Sequence, residues 1–127
     1  MDYIHKFNVT FNEFIDDIIR IFPNDQDLKV YKAGIQTAIV LDNKYIITRF
    51  NDSIVDKYGK QLLERNDAFF LNHDYTDVIS YNKEYNAVIL KVKNAWSSMN
   101  TENKEIMWKY FKILILLSNK FVLKEYE

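Results

Sequence analysis

The residues best suited to chemistry are few. His73, Asp74 and Asp77 place an imidazole beside two carboxylates, the beginning of a donor set for zinc or a similar ion. In a polar stretch, however, Asp and His side chains ordinarily satisfy the backbone groups of a turn, and the only other imidazole is the distant His5. Asp25-Gln26-Asp27 lacks the longer alternation of oxygen ligands, the turn glycine and the terminal Glu of a calcium loop; helix capping accounts for it. Asp16-Asp17 and Asp52-Asp56 would supply an acid and a base only if their surroundings drove the two pKa values apart. Their neighbours are charged or polar, as on a solvated helix face. No Ser stands in a Gly-rich strand-to-helix turn near a His. Gly34 and Gly59 are too isolated to form a phosphate-cradling loop, and the absence of cysteine excludes thiolate chemistry. We therefore expect no enzyme, no metal site and no cofactor.

Two groups of residues point instead to binding. Residues 83–127 are mildly basic, and Lys91, Lys93, Lys104, Lys109 and Lys112, with Lys120 and Lys124 beyond them, stand near Trp96 and Trp108. Lysines that reach phosphates beside an aromatic ring that stacks a base describe a nucleic-acid surface. The segment has no Arg, and lysines commonly solubilise the outside of a helix, so this reading is the alternative. The leading candidate is the aromatic group Phe69, Phe70, Tyr75, Tyr81 and Tyr85, crowded around the least regular part of the chain. Exposed aromatic side chains supply much of the energy at protein interfaces.

The elements that must carry these residues are helical. The chain has 127 residues, 48% of them hydrophobic and 16% aromatic. That is enough apolar area to offset the entropy of ordering the backbone and is a usual size for one domain, here taken as 1–127. Two Gly and one Pro leave little for the tight turns of a many-stranded sheet. A net charge of −1 gives no general attraction to polyanions. Residues Met1 to Lys6 lack the basic start and apolar core of a secretory signal, so an intracellular protein is expected. Abundant Lys, Asn, Ile and Tyr carry the bias of an AT-rich genome.

Apolar residues recur three or four apart along most of the chain, the signature of helices with one buried face. Phe7, Phe11, Phe14, Ile15, Ile18 and Phe22 define the first, stopped by Pro23. Asn24 or Asp25 caps the second, which carries Leu28, Tyr31, Ile35, Ala38 and Ile39 to Leu41. After a cap at Asp42-Asn43, Ile46, Ile47, Phe50, Ile54 and Tyr58 mark the third, with Gly59 as its expected end and Leu62-Leu63 in a further short segment. Tyr45 to Thr48 reads alternatively as a short strand without a hairpin partner. Asp67 caps a single turn bearing Phe69 to Leu71, and residues 72–82 form a loop packed by its own side chains. Val88, Ile89, Val92, Ala95, Trp96 and Met99 mark another helix.

The last helix starts from a cap at Asn100 or Thr101 and runs to about Leu123. Ile106, Tyr110, Ile113, Leu114, Leu117 and Phe121 form its main stripe. Met107, Phe111, Ile115 and Leu116 spread apolar groups around its circumference, which predicts a central position. The uninterrupted apolar run, Ile113 to Leu117, is far below the roughly 20 residues that cross a bilayer, so no membrane insertion is expected.

Three segments together, Phe22 to Lys29, Asp67 to Tyr75 and Asn103 to Leu114 around Trp108, resemble small uncharacterised helical proteins of the large nucleocytoplasmic DNA viruses of algae and protists. The likeness is one of helix starts and aromatic positions. It implies an intracellular viral protein, in host cytoplasm, viral factory or virion, and brings no activity or site residues. The sequence thus predicts an all-α, compact five- or six-helix bundle. Its expected work is binding a protein partner, in virus assembly or on a host factor, through the aromatic loop or a groove between helices. A homo-oligomer would bury the same surplus of apolar faces.

Overall fold

The structure, a computed structural model, describes residues 2–67 and 84–125. Among them no strand occurs, and the helices form five rods around one hydrophobic core. The first rod, α1 (Tyr3–Ile21), starts at Asp2, whose carboxylate accepts the His5 amide at 3.0 Å. That bond satisfies one of the donors a helix start leaves open. Phe7, Phe11, Phe14, Ile15 and Ile18 are fully buried, as their spacing predicts, while Phe22 is half-buried beyond the helix end. In α2 (Gln26–Leu41) the cap is Asp25, which accepts the Asp27 amide at 3.1 Å. Only Leu28 and Ile35 of α2 are buried; Tyr31, Ala38 and Ile39 pack on the edge of the core.

The third rod joins α3 (Tyr45–Phe50), a wide π-helical segment (Asn51–Val55) and α4 (Asp56–Leu63). Tyr45 to Thr48 is therefore helix, and Asp42 shapes the turn before it by accepting the Lys44 amide at 3.0 Å. Phe50, Ile54, Tyr58 and Leu62 are all buried, although each lies four residues beyond the last. In a straight α-helix such a row drifts about 40° per step. The wider turn of the π segment takes out that drift and keeps the row against the core.

Gly59 does not end this rod. It is buried within α4, and a Cβ there would meet Val55 Cγ1 at 3.3 Å. The stop comes at Arg65, in left-handed conformation with φ 55°. Its amide donates to Leu62 O and the Asn66 amide to Gln61 O, the paired bonds of a helix-ending motif that usually takes glycine.

The fourth rod is α5 (Glu84–Ala95), closed by a tight turn at Trp96–Ser98. Val88, Ile89, Val92, Trp96 and Met99 are buried as expected. The fifth, α6 (Thr101–Glu125), begins where Asn100 Oδ1 accepts the Asn103 amide at 2.8 Å. It lies along α1 and against the α3–α4 rod, while α2 packs on α1, α3 and α5. Helix α6 therefore has α1 and the third rod as its main neighbours and is not enclosed on all sides. Met107, Phe111, Leu114, Ile115, Leu117, Ser118 and Phe121 face inward, whereas Ile113 and Leu116 are each 43% exposed. The inward stripe is rotated from the one expected around Ile113 because Phe14 draws Tyr110 and Phe111 toward α1, with both ring pairs at 5.5 Å.

Phe11 touches Phe7, Phe14 and Phe50 through ring contacts of 5.7–6.4 Å, so it ties α1 to the third rod. Phe11→Ala should lower unfolding stability by about 3–5 kcal/mol, the usual cost of deleting a buried ring. Urea denaturation followed by circular dichroism measures it; a loss below about 1 kcal/mol would mean that this ring is not packed as described.

Candidate interaction surface

Of the two acidic pairs, Asp16–Asp17 serves as a structural tie. Asp17 accepts the Tyr110 hydroxyl, joining α1 to α6, and meets Arg20 Nε at 3.4 Å. Asp16 meets Lys32 Nζ at 2.5 Å, joining α1 to α2. Burial, reinforced by the Asp17 carboxylate, pushes the Tyr110 phenol well above its ordinary range, so it stays a neutral donor. Asp52 and Asp56 are exposed on the third rod beside a depression of about 430 Å³ that Phe121 and Val122 also line. Behind it, Ser118 Oγ donates to Asn51 Oδ1 at 3.0 Å, fastening the π segment to α6. Among the described residues no group of three or more His, Cys, Asp or Glu side chains could hold a metal ion. His73, Asp74 and Asp77 lie outside the described residues.

The lysines divide by position. Lys91, on α5, is bound to Asp25 at 2.9 Å and Asp27 at 3.5 Å, so it fastens α5 to the start of α2. Lys93 is half-buried on the same helix. Lys104 sits 5.4 Å above the Trp96 ring, but that indole is fully buried. Its Nε1 donates to Asp67 at 3.2 Å, and it packs edge-on at 5.0 Å against Trp108, which is 7% exposed. Neither indole offers a free face to a base, so the stacking half of the nucleic-acid pattern is missing here. Lys109 and Lys112 are exposed on α6.

Those two belong to a longer surface. Along the outward side of α6, Lys109, Lys112, Lys120 and Lys124 alternate with Ile113, Leu116 and Leu123, the last 68% exposed. No Asp or Glu occurs from Ile106 to Lys124. Ile113, Leu116, Lys120 and Leu123 are spaced three, four and three, which aligns them as one helical seam. Lys120 and Lys124 lean over the Tyr3 ring, at 5.5 and 6.0 Å, so that side of the seam is braced by α1. At the other end, Glu105 is held by Arg65 at 2.5 Å, which lowers its pKa.

A second depression, of about 420 Å³, lies between α1 and α2, lined by His5, Asn8, Val9, Gln36, Ile39 and Val40 among others. Asn8 Nδ2 donates to Asn43 O at 2.9 Å, while Asn8 Oδ1 and Asn12 Oδ1 are buried without a partner. Of the aromatic candidates, Phe69, Phe70, Tyr75 and Tyr81 lie outside the described residues, as does the loop of residues 72–82; Tyr85 is placed on α5 by its backbone alone. The sequence pattern marks the lysines of the α6 face but places Ile113 and Leu116 in the core, whereas the structure leaves each 43% exposed. The signal that finds the seam is the acid-free stretch. Comparison with family models, with curated proteins and with solved structures finds no match to this chain. No helix among the described residues is long and apolar enough to cross a membrane.

The Lys91–Asp25 pair sets a pH dependence. Lys91 holds the Asp25 carboxyl below its ordinary value of 3.8, and Asp25 raises Lys91 above 10.5. A lowered carboxyl stabilises the fold above its unfolded value and loses that contribution as pH falls through the folded one. A raised amine contributes fully below 10.5 and less as pH rises further. Lys91→Met should therefore lower mid-range stability and flatten both the acid and the alkaline decline in a urea-melt series against pH. A profile parallel to wild type would show the pair contributes nothing.

Proposed function

We propose that this chain is a non-enzymatic protein-interaction domain that binds an acidic amphipathic helix of a partner along the outward seam of α6. The observation that carries the reading is the combination of solvent-facing Ile113, Leu116 and Leu123 with Lys109, Lys112, Lys120 and Lys124 on one acid-free helix face. Aliphatic side chains left in water favour a partner that covers them, and lysines along the same seam select one that carries carboxylates at its edges. A phosphate backbone would leave the three aliphatic residues unmatched. A second copy of the same face would set lysine against lysine. On this reading the partner is a virion or host protein, met in assembly or in control of a host factor.

The test is fluorescence polarisation with a labelled helical peptide that places Leu at alternating three- and four-residue spacing and Glu on both flanks. Binding should weaken with salt, as exposed ion pairs do. It should fall by about tenfold or more, equivalent to about 1.4 kcal/mol, in the double variant Leu116→Glu with Lys120→Glu, once circular dichroism shows it folded. Tighter binding of duplex DNA than of the peptide at equal salt would make the face a nucleic-acid surface instead, and equal peptide binding by the variant would remove the site.

A further inference from the structure

The depression between α1 and α2 has a polar floor whose hydrogen bonding the fold leaves incomplete. Asn8 and Asn12 are four residues apart on α1, so their side chains share one face. Asn8 is only 7% exposed, and its carboxamide is fixed in orientation because Nδ2 donates to Asn43 O at 2.9 Å. The same bond leaves Asn8 Oδ1 as an acceptor with no donor, and Asn12 Oδ1 is buried in the same condition. Buried acceptors are nearly always paired. Two in succession along one wall of a depression of about 420 Å³ point to donors that arrive from outside the chain.

The spacing of the two carboxamides selects the kind of donor. Residues four apart on a helix are offset by about 6 Å along its axis. An extended peptide presents the N–H groups of one edge at every second residue, about 6.6 Å apart, so two of its main-chain amides fall opposite Asn8 and Asn12. Gln36, exposed on the facing wall, has a side-chain amide for a carbonyl on the peptide's other edge, while Val9, Ile39 and Val40 give apolar contact to its side chains. From Asp2 to Asn12 the α1 side of the depression runs about 15 Å, room for about four extended residues. Asp2 and His5 are the only ionisable residues in its lining, so nothing there attracts an acidic ligand.

We propose that the α1–α2 depression binds a short neutral or basic peptide segment in extended form, with main-chain amides donating to Asn8 and Asn12. Both oxygens are shielded from solvent, so the peptide reaches them as the α2 wall moves outward. That wall is lightly held: beyond Ile35 no residue of α2 is buried, and Val40 and Leu41 are 85% and 81% exposed. Binding exchanges this slight apolar contact for hydrogen bonds to acceptors that otherwise lack a donor, where a bond counts most. Recognition through the main chain makes the site tolerant of peptide sequence. The inference does not rest on the α6 reading, since the two sites lie on different helices and take different ligands.

The probe is the tetrapeptide Ala-Val-Ala-Val, acetylated and amidated at its ends, titrated into the isotope-labelled whole chain and followed by NMR. The side-chain amide signals of Asn8 and Asn12 should shift and saturate, together with the Val40 methyls. The same peptide methylated at every main-chain nitrogen has no donors, and should bind at least about tenfold more weakly, equivalent to about 1.4 kcal/mol. Asn12→Leu keeps the size of the side chain and removes the acceptor. It should lose affinity by a similar factor while melting no lower than wild type, because a buried acceptor without a donor is gone. Leu116→Glu should leave tetrapeptide binding intact. Unmoved Asn8 and Asn12 signals at the solubility limit would mean that water alone meets the two oxygens, and would overturn the proposal. Equal binding of the methylated peptide, or unchanged binding by Asn12→Leu, would do the same.

Discussion

The architecture depends on the aromatic contact between the first and last helices. Phe14 sits between Phe11 on its own helix and Tyr110 and Phe111 on α6, all at ring distances of 5.5–5.7 Å. Such pairs add about 0.5–1.5 kcal/mol each beyond the area they bury. Phe7 and Phe11 extend the contact to Phe50 on the third rod. The Tyr110 hydroxyl on Asp17 gives this otherwise non-directional contact a fixed register. Because α6 is held at that angle, Ile113 and Leu116 are turned out. The solvent-facing seam follows from the core, since a helix with apolar groups over most of its circumference cannot bury them all against neighbours on one side.

Much of the architecture was legible in the chain. The three-and-four spacing of Phe7 to Ile18 and of Val88 to Met99 marks their buried faces correctly, and the caps at Asp25 and Asn100 lie where short acceptor side chains precede those patterns. What misled was local preference read without packing. Gly59 has the residue type of a helix end, but it lies buried inside α4, where a Cβ would press on Val55 Cγ1 at 3.3 Å. The positive φ falls to Arg65, which no preference scale favours. The angle of α6 was hidden for a different reason: a helix apolar on most sides has no preferred face until its neighbours are placed. The binding surfaces were hidden with it. Residues such as Leu116 and Val40 have the same type whether buried or exposed, so only the fold separates a core position from a contact position.

The wide turn at Asn51–Val55 also sets how the third rod tolerates changes of length. A π segment holds one residue more than an α-helix of the same span, and here the surplus lies between two stretches that both keep their inward rows, Ile46 to Phe50 before it and Tyr58 to Leu62 after it. Loss of one residue there would let the span close as plain α-helix with the same faces turned inward, and Asn51, which accepts from Ser118 Oγ at 3.0 Å, ties that point of the rod to α6.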